Sequence, residues 1–124
     1  MTRGPGATAD VTIHHNPSCS NSRGALALIR ERGVEPRVVE YLKTPLSADE
    51  LRALVARVGV PVRELMRTKE AAYAELGLDD ADDDRLVAAI AAHPVLLNRP
   101  IVVTPLGAKL CRPPEAVLEI LPAA

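Results

Sequence analysis

Phenylalanine and tryptophan are absent from this chain of 124 residues, and tyrosine occurs only twice. The core must therefore be built from Leu, Val, Ile and Ala, and no aromatic platform exists on which nucleobases could stack. An excess of one charge is missing too: 15 Lys and Arg face 16 Asp and Glu, a net charge of −1. That balance leaves no electrostatic footprint for nucleic acid. Cysteine is scarce, and Cys19 and Cys111 are too few and too far apart for a disulfide framework. No apolar run approaches the ~20 residues that cross a membrane. The opening residues contain no apolar stretch that could serve as a signal peptide. The expectation is a cytoplasmic monomer that engages neither nucleic acid nor membrane.

A chain of this length makes one domain and buries roughly two-thirds of its unfolded surface, so neither disulfide nor metal is needed to hold it. Residues 1–10 read as a flexible lead-in and 11–124 as a single domain. Val11–His14 is β-prone, and Ser20–Arg32 is a helix with Gly33 as its stop signal. Arg37–Leu42 is a second strand between Pro36 and Pro45. Strand, helix, strand favours a parallel βαβ unit. Ser47 and Glu50 form a capping box, after which Leu51, Leu54, Val55 and Val58 recur at helical spacing.

Val62–Arg67 and Glu70–Leu76 read as shorter helices. The acidic stretch Asp79–Asp84 lacks the central Gly and terminal Glu of a calcium loop. It reads instead as the solvated entrance of the helix carrying Leu86, Val87 and Ile90. Ile101–Thr104 and Ala108–Cys111 form a hairpin about Pro105-Leu106-Gly107, and Glu115–Leu121 forms a last helix. The fold class is α/β: a thioredoxin-like, four-stranded mixed sheet with flanking helices. A helical insertion, about residues 47–92, separates its second and third strands. In that arrangement a cis-proline often precedes the third strand, which predicts a cis Arg99–Pro100 bond.

Chemistry concentrates at His14-His15-Asn16-Pro17-Ser18-Cys19-Ser20-Asn21-Ser22-Arg23. A cysteine on the turn that opens a helix faces unpaired N–H groups and a positive dipole end, both of which favour the thiolate. An ordinary thiol, with a pKa of about 8.5, is only slightly ionised at neutral pH. A value near ~6.5 would leave it mostly anionic and still nucleophilic. Nearby arginines or a protonated His15 could supply part of that shift. The competing reading of Cys19 is an inert small hydrophobe, which the polar turn disfavours. Cys19-Ser20-Asn21-Ser22 has dithiol-motif spacing, but Ser22 replaces the second thiol. Chemistry begun at Cys19 must be completed by an outside thiol or by Cys111, whose bland reading is a packed strand residue.

Arg67, Arg99 and Arg112 sit in short loop-like motifs, the last two beside prolines at strand ends. Guanidinium forks suit tetrahedral oxyanions. Arg30, Arg32, Arg52, Arg57 and Arg85 lie on helical faces and read as solubilising.

The blocks HNPSCSNSR, YLKTP, VRELMRTK and HPVLLNRPIVVTPLGAKLCRP resemble the glutaredoxin-coupled, glutathione-dependent arsenate reductases, from Val11 to about Leu121. The resemblance implies Cys19 as the catalytic nucleophile. It implies Arg67, Arg99 and Arg112 as catalytic and substrate-binding residues that grip arsenate. It also implies His15 and Ser22 as supports of the thiolate, with Ser22 hydrogen-bonded to the sulfur. The implied partners are arsenate, glutaredoxin or an equivalent, and glutathione or another low-molecular-weight thiol as co-substrate. No bound cofactor or metal is implied. Two alternatives share the fold: a general glutathione-dependent thiol reductase without arsenate activity, and a redox-linked regulator of RNA polymerase. The regulator needs a Cys-x-x-Cys switch, which Ser22 removes.

Overall fold

A computed structural model of the protein describes residues 10–122. The lead-in expected over residues 1–10 lies outside them, apart from Asp10. The described chain divides into two compact units. One is built from the two ends of the chain, up to Glu40 and from Arg99 onward; the other is Tyr41–Asn98.

The first unit contains the whole sheet. Its strands are β1 (Thr12–His14), β2 (Arg37–Val39), β3 (Ile101–Thr104) and β4 (Gly107–Leu110), ordered β2-β1-β3-β4. β1 and β2 are parallel, while β3 runs antiparallel to both β1 and β4. This is the expected mixed sheet. β2 stops at Val39, short of the predicted Leu42, because its partner is only three residues long: the pairing ends at His14↔Val39, after which His15 N–H closes on Val39 O at 2.8 Å.

Helix α1 (Ser20–Glu31) crosses between β1 and β2 and buries Ser22, Ala25 and Ile29, one face at helical spacing. Gly33, with φ +81°, turns the chain after it. Ala25 and Ile29 pack with Val11, Ile13, Val102, Cys111, Val117 and Leu121 in one aliphatic core. The expected last helix winds as a 3₁₀ helix over Pro114–Glu119. Its closing bond, Ile120 N–H to Val117 O, spans three residues. The Arg99–Pro100 bond is cis as predicted, and Arg112–Pro113 is cis as well.

The second unit is helical. It contains α2 (Ala48–Val58), α3 (Ala71–Glu75) and α4 (Asp83–Ala92), with 3₁₀ turns at Val62–Leu65, Leu78–Asp80 and Pro94–Leu96. The capping box at α2 is complete: Glu50 N–H donates to Ser47 Oγ, and Ser47 N–H to Glu50 Oε1. Asp82 caps α4 by accepting from Arg85 N–H at 2.9 Å, and Asp83 and Asp84 lie in its first turn. The acidic stretch thus serves the helix dipole. Leu51, Leu54, Leu65, Leu86, Val87 and Ile90 are all buried in this unit. None of the described helices is long and apolar enough to cross a membrane.

Candidate active site

The turn before α1 is closed by short-range hydrogen bonds. Asn16 Oδ1 accepts from Ser18 N–H at 2.9 Å, an Asx turn. Asn16 O accepts from Cys19 N–H at 3.0 Å, and Asn16 N–H donates to Ser22 Oγ at 3.2 Å. Arg23 Nη1 reaches back from the first turn of α1 to Pro17 O at 2.9 Å. Neither Asn16 nor Arg23 was singled out from sequence. The Asn-Pro-Ser run is a recognisable Asx-turn signal for the first, whereas the second depends on where a long side chain folds.

These bonds hold Cys19 at the N-cap position of α1 with extended backbone, φ −97° and ψ 125°. No conventional side-chain cap closes that end. The N–H groups of Ser22 and Asn21 instead direct their positive ends at the sulfur. Cys19 is 8% exposed. Burial pushes its thiol up, but the Ser22 and Asn21 amides, the Arg99 charge and a hydrogen bond from Arg112 together outweigh it. The thiol is held below the ordinary cysteine range. Ser22 therefore acts on the sulfur through its backbone N–H, while its hydroxyl is engaged as the acceptor for Asn16.

Arg112 Nη1 stands 3.8 Å from Cys19 Sγ and donates to Arg99 O at 3.1 Å. Cys19, Ser22, Arg99 and Arg112 are thus brought together within the first unit. Arg67 belongs to the second unit, where its N–H donates to Leu96 O at 2.8 Å and its guanidinium pairs with Glu70 at 3.2 Å. Arg63, in the same sequence block, donates to Leu78 O, Ala81 O and the Tyr73 hydroxyl. Those bonds tie the loop ahead of α4 and make Arg63 structural.

The His15 side chain is buried. Burial holds its imidazole below the ordinary histidine range; Glu40 opposes that shift, and Arg30 and Arg23 reinforce it. Its Nδ1 is buried without a hydrogen-bond partner among the described residues. Cys111 is fully buried in the core, its Sγ 3.5 Å from Lys109 O. Burial pushes its thiol up to about 12. Among the described residues, no group of three or more His, Cys, Asp and Glu side chains could hold a metal ion.

Residues 14–120 match the ArsC family. The chain belongs to that family. Its similarity to the arsenate reductase of Escherichia coli K12 is 53% identity over 118 residues, 94% of this chain and 84% of that protein. Its similarity to the arsenate reductase of Rhizobium meliloti is 55% over 114 residues, 90% of this chain and 81% of that protein. The fold matches that of an arsenate reductase from Vibrio cholerae with a TM-score of 0.88 at 49% identity, covering 93% of this chain and all of that one. These ArsC relatives bear out the thioredoxin-like class expected from the strand order.

Proposed function

We propose that this protein is an oxidoreductase that reduces arsenate to arsenite, working as a monomer with Cys19 as nucleophile. The observation that carries the reading is the convergence of two helix N–H groups, Arg99 and Arg112 on one thiol. The same charges that hold a thiolate also hold a tetrahedral oxyanion beside it. The arsenate reductases among its ArsC relatives support the choice of oxyanion.

The Cys19 thiolate attacks arsenic and displaces one oxygen as water, giving a thiol–arsenate adduct. Arg99 and Arg112 neutralise the oxyanion and stabilise charge as it develops. A low-molecular-weight thiol, glutathione in this proposal, then forms a disulfide with Cys19. The two thiols supply two electrons, arsenic passes from the +5 to the +3 state, and arsenite leaves. Glutaredoxin reduces the mixed disulfide and returns Cys19 to the cycle. Cys111 is buried in the core, so the completing thiol comes from outside the chain. Ser22 supports the thiolate through its amide, and His15 supports the turn through its backbone bond to Val39. Arg67 enters on its sequence motif alone, and Arg67→Ala tests it separately.

The deciding experiment supplies purified protein with arsenate, glutathione, glutaredoxin and an NADPH recycling system, and measures arsenite. Turnover by the wild type and none by Cys19→Ser establishes the reaction and its nucleophile. Absence of turnover with glutathione and with other low-molecular-weight thiols would leave a thiol reductase of the same fold.

A further inference from the structure

Glycine inside a helix is less favourable than alanine, yet Gly24 stands in the middle of α1. Its backbone does not need glycine, since its φ is not positive. The reason lies across the packing. A Cβ built on Gly24 would stand 3.0 Å from Pro114 Cγ and 3.2 Å from Pro114 Cβ. Both lie inside the ~3.5–4.0 Å at which carbon atoms rest. Pro114 cannot yield by changing rotamer, because its ring is bonded to its own backbone.

Each side of this contact leads directly to the site. Cys19 is the N-cap of the helix that carries Gly24. Arg112 precedes Pro113 and the 3₁₀ helix Pro114–Glu119 that rests on Gly24. Its Nη1 meets the sulfur at 3.8 Å. A few tenths of an ångström added between α1 and Pro114 would therefore be added close to the reach of Arg112.

We propose that Gly24 is a positioning residue: its missing side chain lets the Pro114 ring seat on α1, which sets the distance from the Arg112 guanidinium to the Cys19 sulfur. The proposal rests on the reading of Cys19 as a thiolate nucleophile, and its readout separates the two. The rate of Cys19 alkylation by iodoacetamide, followed against pH in the full-length protein, reports the thiolate directly and needs no arsenate. A wild-type midpoint at the ordinary cysteine value would defeat the thiolate reading itself. Given a lowered wild-type midpoint, Gly24→Ala moves it upward by roughly 0.3 units or more. Gly24→Ala/Pro114→Ala, which removes the nearer contact and the ring's rigidity, returns it toward wild type, a non-additive pair.

Val117→Ala opens a cavity in the same 3₁₀ helix, lowers the melting temperature and leaves the midpoint in place, so a merely structural role for Gly24 would do likewise. If Gly24→Ala does not fold, Pro114→Ala alone serves, because loss of the ring contact also moves the midpoint upward. A midpoint unchanged in the single variant, or shifted equally in single and double variants, overturns the proposal.

Discussion

Arg112 and Cys19 are 93 residues apart in the chain, yet Arg112 Nη1 lies 3.8 Å from Cys19 Sγ. The same nitrogen donates to Arg99 O at 3.1 Å. A backbone carbonyl therefore orients the guanidinium before any oxyanion arrives. Such preorganisation is what makes a charge effective, because little reorganisation remains to be done during the reaction.

Removing that guanidinium should weaken the thiolate. In Arg112→Ala the Cys19 alkylation midpoint rises, because a hydrogen bond and a positive charge are lost. Arsenate turnover should fall by roughly 10²–10³-fold, the usual effect of one lost oxyanion donor. Arg99→Lys keeps a charge but not the fork, so its midpoint stays near wild type while turnover drops by a smaller factor. A midpoint in Arg112→Ala equal to that of the wild type would show that the contact does not act on the sulfur.

Asn16 organises the nucleophile's turn, and two substitutions separate shape from charge. Asn16→Ala removes the acceptor for Ser18 N–H and should cost about 1 kcal/mol in urea unfolding. Asn16→Asp keeps the acceptor, and with it most of the stability, but places an anion near the sulfur and raises the alkylation midpoint. Equal stability losses in both variants would remove the Asx turn from the account.

The two thiols should act on stability with opposite signs. Cys111 has a folded pKa of about 12, above the unfolded value of about 8.5. Its contribution is whole below that lower value and is lost as the pH climbs toward the higher one. Cys19 is held below the ordinary range. Its contribution is present above the unfolded value and is lost as the pH falls through the lowered one. Urea unfolding of wild type, Cys111→Ala and Cys19→Ser from neutral pH upward checks this. The gap between wild type and Cys111→Ala narrows as pH rises, whereas the gap between wild type and Cys19→Ser widens up to about 8.5. Cys111→Ala should keep arsenate turnover unchanged; a dead enzyme would point to an intramolecular disulfide.

Local spacing determined much of this protein before any coordinates. Cys19 stands between a β-prone run and a helical one, so its place on the first βα turn could be read directly. The capping box at Ser47 and the stop at Gly33 are contacts between near neighbours in the chain, and they formed as read. The alternation of patterns gave the succession of strands and helices, and the flanking prolines placed Arg99 and Arg112 at strand ends. Tertiary structure decided what the spacing could not encode. It directed the Ser22 amide at the sulfur, while the Ser22 hydroxyl accepts from Asn16 N–H. It buried His15 and Cys111, which holds the imidazole below its ordinary range and pushes the thiol above its own. It also brought Arg112 to Cys19 and Pro114 to Gly24. Periodicity reports which face of an element is buried; only packing decides what that face meets, and at what distance.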